Sequence, residues 1–104
     1  MKKTFFCLIL ASIALAFILS SGANAGEKEK ASAAFGDASN LYYFCHYSGA
    51  AAYDMYNYTL GETYYKEAKK AFKKTKNYSR AIKFSEMAMP HLKIVQQKYV
   101  EAEQ

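Results

Sequence analysis

The sequence predicts an all-α protein, an antiparallel bundle of three helices, from three observations. Small and apolar residues recur at alternating steps of three and four along three successive stretches, which is the spacing of one helix face. Short segments containing glycine or asparagine separate these stretches, and short connections favour antiparallel neighbours. No long stretch shows the strict alternation of a strand, although the chain is rich in Tyr and Phe.

The first helix is predicted to begin at Ala31. Its inward stripe consists mainly of small residues, which permit close contact between helices: Ala31, Ala34, Ala38, Leu41, Cys45 and Ser48. Gly49 weakens the helix and allows it to end. The charged segment 26–30 before this stripe is predicted to be a flexible tether, so a single helical domain is expected over 31–104.

The second helix is predicted to open near Asp54 and to run to about Thr75. The carboxylate of Asp54 is suited to accept hydrogen bonds from the unpaired amides of the first helical turn. The inward stripe consists of Tyr58, Gly61, Tyr65, Ala68 and Phe72. Because a glycine inside a helix costs about 1 kcal/mol relative to alanine, a close packing contact is expected at Gly61.

The third helix is predicted to begin after Asn77, a residue suited to a helix cap or a left-handed conformation. Its inward stripe is the most regular of the three: Tyr78, Ala81, Ser85, Ala88, Leu92, Val95, Tyr99 and Ala102. Pro90 has no amide to offer the carbonyl of Glu86, and its ring crowds the preceding turn. A kink or break is therefore predicted near Met89, with the helix resuming to about Glu101.

Residues 1–25 have the organisation of a cleaved secretory signal peptide. Two lysines precede an apolar run from Phe5 to Leu19, and the triplet 23–25 is a small-x-small cleavage site before Gly26. The run is about 15 residues long, short of the roughly 20 that a membrane-spanning helix needs. An uncleaved amino-terminal anchor is the alternative. The expected location is the periplasm of a Gram-negative bacterium.

Charge is concentrated in one part of the expected mature chain, which has about 79 residues and a net charge of about +3. Basic side chains crowd between Lys66 and Lys83, where Glu67 is the sole acidic residue. Such a stretch is typical of a solvated helix face. The alternative function is electrostatic binding to anionic envelope material through Lys66, Lys69, Lys70, Lys73 and Lys74. Export makes nucleic acid an improbable partner, and contact with a membrane is expected only through an uncleaved signal or weakly through this basic face.

Candidate residues for chemistry are few. Loss of the signal removes Cys7 and leaves Cys45 without a disulfide partner in the chain, a situation typical of a buried, apolar cysteine. Cys45 adjoins His46, and Asp54 or His91 could approach them, but neighbouring helical residues point about 100° apart. Small-ligand or metal binding at Cys45 and His46 therefore ranks third, and no metal or cofactor is predicted. No nucleophile lies in an evident pattern with a base and an orienting group, so no enzyme activity is predicted.

Tyrosine is the main functional lead. Eight tyrosines lie between Tyr42 and Tyr65, more than a small core can bury with every hydroxyl satisfied. Exposed tyrosines are typical of protein interfaces, and an amphipathic rim of the core is the alternative. The predicted function is a non-enzymatic envelope module that binds an envelope protein or a second copy of itself. The predicted contact residues, chosen because they lie off the inward stripes, are Tyr43, Tyr47, Tyr56 and Tyr64.

The stretch 64–88 resembles a tetratricopeptide-type helical hairpin. The residues that carry the resemblance are Tyr65, Ala68 and Phe72 in its first helix and Tyr78, Ala81, Ile82 and Ala88 in its second. Because one such unit is present, the resemblance implies a self-contained hairpin rather than a stacked array.

Nearly the whole mature chain resembles a family of short bacterial cell-envelope domains of unknown function, often lipoproteins and often followed by an OmpA-like module. The matching pieces are Ala31-Ser32-Ala33, Ser48-Gly49-Ala50, Tyr53, Ala68, Phe72, Asn77-Tyr78, Ala81 and Ala88. The chain has Asp54-Met55 where the family commonly has Ala-Pro, and residues 26–104 contain no OmpA-like module. The resemblance therefore implies a helical envelope domain and does not extend to peptidoglycan binding.

Overall fold

The computed structural model describes residues 26–104, and the predicted signal peptide lies outside the described residues. This part of the chain forms α1 (Glu27–Tyr47), a short 3-10 helix (Ala50–Tyr53), α2 (Met55–Lys73) and α3 (Tyr78–Ala102). Residues 26–104 contain no strand, so the predicted all-α bundle of three helices is confirmed. None of these helices combines the length and apolar character needed to cross a bilayer.

Helix α2 runs antiparallel to both α1 and α3. At one end of the bundle, Ala31, Ala71 and Ala81 pack together from the three helices. At the other end, the rings of Tyr42 of α1 and Tyr58 of α2 stack with centroids 6.0 Å apart, and the rings of Phe44 of α1 and Tyr99 of α3 meet edge to face at 5.6 Å. The start of α1 therefore lies beside the carboxyl end of α2, and the end of α1 lies beside the start of α2.

Local signals set the helix boundaries close to their predicted places. The carboxylate of Asp54 accepts a hydrogen bond of 3.1 Å from the backbone amide three residues on, and the side chain of Asn77 does the same for α3 at 3.1 Å. Gly49, with φ of +82°, takes the left-handed conformation that ends α1. Lys76 takes the left-handed position in the second connection, with φ of +56°. Both predicted caps are thus confirmed.

The helices pack through two different kinds of interface. Between α1 and α2 lies a ladder of nearly parallel aromatic rings, termed the aromatic ladder: Phe72, Phe35, Tyr65, Tyr42 and Tyr58. The tightest step, from Tyr65 to Tyr42, has centroids 4.4 Å apart. Between α2 and α3 small residues allow closer approach, and these two helices share the most extensive contact. The predicted close contact at Gly61 is present, since Leu92 covers that glycine.

Two local features differ from the prediction. Segment 26–30 is not an irregular tether, because α1 already begins at Glu27. Glu27 and Glu29 lie in the first turn, where carboxylates interact favourably with the unpaired helix amides. The predicted break near Met89 does not occur, since α3 continues through Pro90 without interruption. Pro90 and Glu86 are exposed, so water can reach the carbonyl that Pro90 leaves without an amide.

Candidate protein-interaction surface

Exposed large side chains are concentrated where α1 is connected to α2. Five of them form what is termed the Tyr surface: Tyr43, Tyr47, Tyr53, Met55 and Tyr56. Tyr47 and Tyr56 are the most exposed of the set, at 78% and 73%. Because they flank the single connection 48–54, both rings belong to one end of the bundle. The structure therefore brings three of the four predicted contact residues, Tyr43, Tyr47 and Tyr56, to this end.

The connection that carries the Tyr surface is held by several local contacts. The hydroxyl of Ser48 accepts a hydrogen bond of 3.2 Å from the amide two residues on. The ring of Tyr53 meets that of Tyr99 of α3 edge to face, with centroids 5.9 Å apart. The carboxylate of Asp54 accepts a hydrogen bond of 2.7 Å from the Nζ of Lys98 and forms an ion pair with it. The contacts of Tyr53 with Tyr99 and of Asp54 with Lys98 tie the connection to the end of α3.

Tyr43 and Tyr47 lie one turn apart on α1, and each restricts the orientation of the other's side chain. Their rings stack with centroids 5.9 Å apart and an interplanar angle of 23°. The ring of His46 meets Tyr47 edge to face at 4.8 Å. Tyr47 is therefore exposed but has ring neighbours that favour one orientation, which lowers the entropy lost when a partner covers it.

Tyr64 does not belong to the Tyr surface. Its ring stacks on Phe84 and His91 of α3, with centroids 6.1 Å and 5.8 Å away. It is half-buried and packs against the core. Tyr64 lies off the predicted inward stripe of α2, but α3 also covers the neighbouring side of this helix. The structure thus gives Tyr64 a packing position between α2 and α3.

A hydrogen-bonded cluster that the sequence analysis missed links α1 to α2 at the end of the aromatic ladder. The Oε2 atom of Glu62 accepts hydrogen bonds from the hydroxyls of Tyr42, at 2.6 Å, and Tyr58, at 3.2 Å. The hydroxyl of Tyr58 also lies 3.0 Å from Nδ1 of His46. The available signal was the spacing of Tyr58 and Glu62, which are four residues apart and so face the same side of α2.

The electrostatics of this cluster keep its hydroxyls protonated. Burial, together with hydrogen bonding to Glu62, raises the pKa of Tyr42 well above its ordinary value. Burial also raises the pKa of Tyr58. A tyrosine that acts as a general base needs the opposite shift. The arrangement therefore suits hydrogen-bond donors that hold α1 against α2, rather than proton acceptors for a reaction.

Cys45 and His46 do not form a joint site. The side chain of Cys45 is fully buried, with its Sγ 3.5 Å from the carbonyl oxygen of Leu92, and burial raises its pKa to about 11. His46 is exposed, and His91 pairs instead with the Oδ1 atom of Asn57 at 2.9 Å. Over residues 26–104, no three His, Cys, Asp or Glu side chains come together in a way that could hold a metal ion.

The predicted basic residues lie on the carboxyl half of α2 and at its cap, and all are exposed. They are termed the Lys surface: Lys66, Lys69, Lys70, Lys73 and Lys74. Lys66 lies 3.9 Å from a carboxylate oxygen of Glu62, and Glu67 is paired with Arg80 at 3.4 Å. Within the described part of the chain the other four lysines of the set make no ion pair. Their charge is therefore available to an external anion.

The Tyr surface and the Lys surface lie toward opposite ends of the bundle, separated along α2. Comparison of the chain with protein-family models, characterised proteins and solved structures finds no match. The contacts and charges of the Tyr surface and the Lys surface are therefore the features of the molecule that bear on its function.

Proposed function

We propose that this protein is a non-enzymatic, exported helical module of the bacterial cell envelope that binds a protein partner through the Tyr surface. The observation that supports it most strongly is the exposure of Tyr47 and Tyr56, 78% and 73%, on either side of one connection. Aromatic rings offer large contact areas at low entropic cost and are enriched among the residues that dominate binding energy. Export depends on the predicted signal peptide.

The support beneath the Tyr surface also favours binding. The cap at Asp54, the contact of Tyr53 with Tyr99 and the stack of Tyr43 on Tyr47 hold the surface in one shape before a partner arrives. A surface that is already ordered loses less conformational entropy on association. The partner, an envelope protein or a second copy, would present an apolar patch with acceptors for the tyrosine hydroxyls at its rim.

Photo-crosslinking in living cells tests this proposal directly. A photoreactive amino acid is placed at position 47 or 56 of the full chain, and the matched controls carry it at position 32 or 63. The control positions are exposed sites on the same helices, α1 and α2. We expect discrete adducts from 47 and 56 and none from the controls. An adduct of twice the protein's mass identifies a second copy, and identical adducts from all four positions would refute the proposal.

Substitutions distinguish tyrosines that contact a partner from tyrosines that pack within the fold. For this experiment the photoreactive amino acid is placed at position 53. Tyr47→Ser and Tyr56→Ser should each abolish the adducts formed from that position. Each change should alter the free energy of unfolding by no more than about 0.5 kcal/mol. Tyr64→Ser is the matched control, because loss of its stacking on Phe84 and His91 should destabilise the fold. If Tyr47→Ser and Tyr56→Ser unfold as readily as Tyr64→Ser, the Tyr surface is the rim of the core and the proposal fails.

Electrostatic binding to anionic envelope material through the Lys surface is a second candidate function. The four lysines without an ion pair in the described chain favour it. Such binding should disappear well above physiological ionic strength, because the screening length falls to about 3 Å at 1 M salt. Binding through the Tyr surface should persist there. Salt titration of each captured complex therefore distinguishes the two candidates.

A further inference from the structure

We infer that the Lys surface lies against an anionic phospholipid bilayer and that the Tyr surface is thereby held at the far end of the bundle, directed away from the membrane. This inference rests on the second candidate function and names its partner. It follows from where the chain enters the bundle, from the local charge balance and from the separation of the two surfaces.

The chain enters the bundle at the lysine end. Ala31 in the second turn of α1 packs on Ala71 of α2 and Ala81 of α3, which lie beside the last turn of α2 and the first turn of α3. In the sequence, Gly26 follows the segment that contains the apolar run Phe5–Leu19. A chain that is attached to, or released from, a bilayer through that segment presents this end of the bundle to the membrane first.

The local charge balance at this end is positive. Four lysines of the Lys surface lack an ion pair within residues 26–104, and the nearby acid Glu67 is already paired with Arg80. Glu27 and Glu29, at the start of α1, are offset in the sequence by Lys28 and Lys30. The net excess therefore comes from the end of α2 and the connection to α3. Each lysine near an anionic bilayer surface strengthens binding by about fivefold.

The two surfaces are far enough apart for one to be bound while the other is free. Along α2 the nearest of the four unpaired lysines, Lys69, lies 13 residues beyond Tyr56, so these parts of the two surfaces are separated by about 20 Å. This distance is about twice the screening length at 0.1 M salt, which is about 10 Å. Attraction between the lysines and lipid headgroups is therefore largely screened at the Tyr surface. That surface remains accessible to a protein partner.

The test measures which end of the full chain approaches the bilayer. Single fluorescent labels are attached in a Cys7→Ser background at Ser79→Cys, beside the Lys surface, or at Ala52→Cys, beside the Tyr surface. Both positions are exposed, and the native Cys45 is buried away from the reagent. Vesicles of phosphatidylglycerol and phosphatidylcholine, or of phosphatidylcholine alone, carry a quencher on the headgroup. We expect the label at 79 to be quenched more than that at 52 on the anionic vesicles.

Charge variants assign the effect to the lysines. Replacing Lys69, Lys70, Lys73 and Lys74 with Gln should bring quenching at the two labels to the same level, whereas replacing the four with Arg should preserve the difference. Equal quenching in the parent chain, or a difference that survives the Gln changes, would overturn the inference. The lysines could instead bind soluble polyphosphate while the labels at 79 and 52 are quenched equally on anionic vesicles. That result would support the second candidate function and reject a bilayer as the partner. Binding to neither anion would reject both.

Discussion

Leu92 of α3 lies directly over Gly61 of α2, with its Cδ2 only 2.6 Å from the position that a Cβ on residue 61 would occupy. Leu92 is fully buried, so its side chain has no solvent to move into. The absence of a side chain at residue 61 therefore sets the separation of α2 and α3. Their extensive contact depends on this glycine.

Gly61→Ala should destabilise the protein by about 1–3 kcal/mol, because a methyl group is forced into a filled part of the core. Gly36→Ala on α1 is the matched control, since no heavy atom lies within 4 Å of its Cβ position. That change should stabilise the protein by about 0.5–1 kcal/mol through helix propensity. Urea denaturation of both variants checks the pair. Stabilisation by both changes would show that the Gly61 contact is loose.

Glu62→Ala should lower stability by about 1–3 kcal/mol, because the half-buried cluster loses the acceptor that lies 2.6 Å from the Tyr42 hydroxyl. A double-mutant cycle with Tyr42→Phe should give a combined loss smaller than the sum of the single losses. Glu86→Ala, an exposed position on α3, is the control and should have little effect. If the two single losses of stability add up to the loss in the double mutant, the hydrogen bond between Tyr42 and Glu62 does not contribute to stability.

Stability should fall at alkaline pH because the pKa of Tyr42 is raised in the folded state by burial and by Glu62. The contribution is fully present below the ordinary tyrosine pKa of about 10 and is lost as the pH rises above it, where the unfolded chain ionises first. Tyr42→Phe should therefore lose less stability above pH 10 than the parent. Tyr47→Phe, at an exposed position, should retain the parent's alkaline loss. Denaturation profiles from pH 8 upward provide the measurement.

Asp54→Asn should lower stability at neutral pH but make it less sensitive to acid. Hydrogen bonds from Lys98 and Asn57 lower the pKa of Asp54 to about 2 in the folded state. Its contribution is present above the ordinary aspartate pKa and is lost as the pH falls toward 2. The stability difference between parent and variant should accordingly shrink between pH 4 and pH 2. A constant difference across that range would mean that the ion pair with Lys98 is not the cause.

Ser85→Ala should be neutral or stabilise the protein by up to about 1 kcal/mol. The Oγ of Ser85 is fully buried and has no hydrogen-bond partner within the described residues, so its removal relieves a desolvation penalty. Ser39→Ala is the contrasting control, because Ser39 donates a 3.2 Å hydrogen bond to the hydroxyl of Tyr65. Thermal unfolding of both variants provides the comparison. A marked loss of stability in Ser85→Ala would show that the hydroxyl has a partner.

The helical pattern predicted most of the core because α2 and α3 each carry one regular stripe. Tyr58, Tyr65 and Ala68 on α2, and Ala88 and Leu92 on α3, are buried as the spacing indicated. The caps were also predictable, since they depend on single side chains next to each helix. Local chemistry of this kind does not depend on how the helices are arranged.

The helical spacing of apolar residues did not predict burial at positions where contacts between helices determine it. Phe35 is buried in the aromatic ladder, whereas the predicted stripe passed through its half-buried neighbour Ala34, because both choices have helical spacing. Tyr64 was predicted to be a contact residue because it lies off the inward stripe of α2. It is half-buried, because the width of the buried face of a helix depends on how many other helices pack against it. Glu62 was missed as a core-side acceptor because its partner Tyr42 lies on another helix.

Part of the candidate site was predictable. Tyr43, Tyr47 and Tyr56 are exposed as expected, because they lie off the inward stripes of their helices. Their location at one end agrees with the predicted short connection between Gly49 and Asp54. The resemblance to tetratricopeptide hairpins and to envelope domains stays a prediction.

The stacked tyrosines of the aromatic ladder also give a spectroscopic signal of helix docking. The chain has no tryptophan, so tyrosine dominates its near-ultraviolet signal, and Tyr42 and Tyr65 are held face to face between α1 and α2. Near-ultraviolet circular dichroism should therefore report the docking of these two helices, while the far-ultraviolet signal reports helix content. A variant that loses the first signal and keeps the second has undocked helices that are still folded individually.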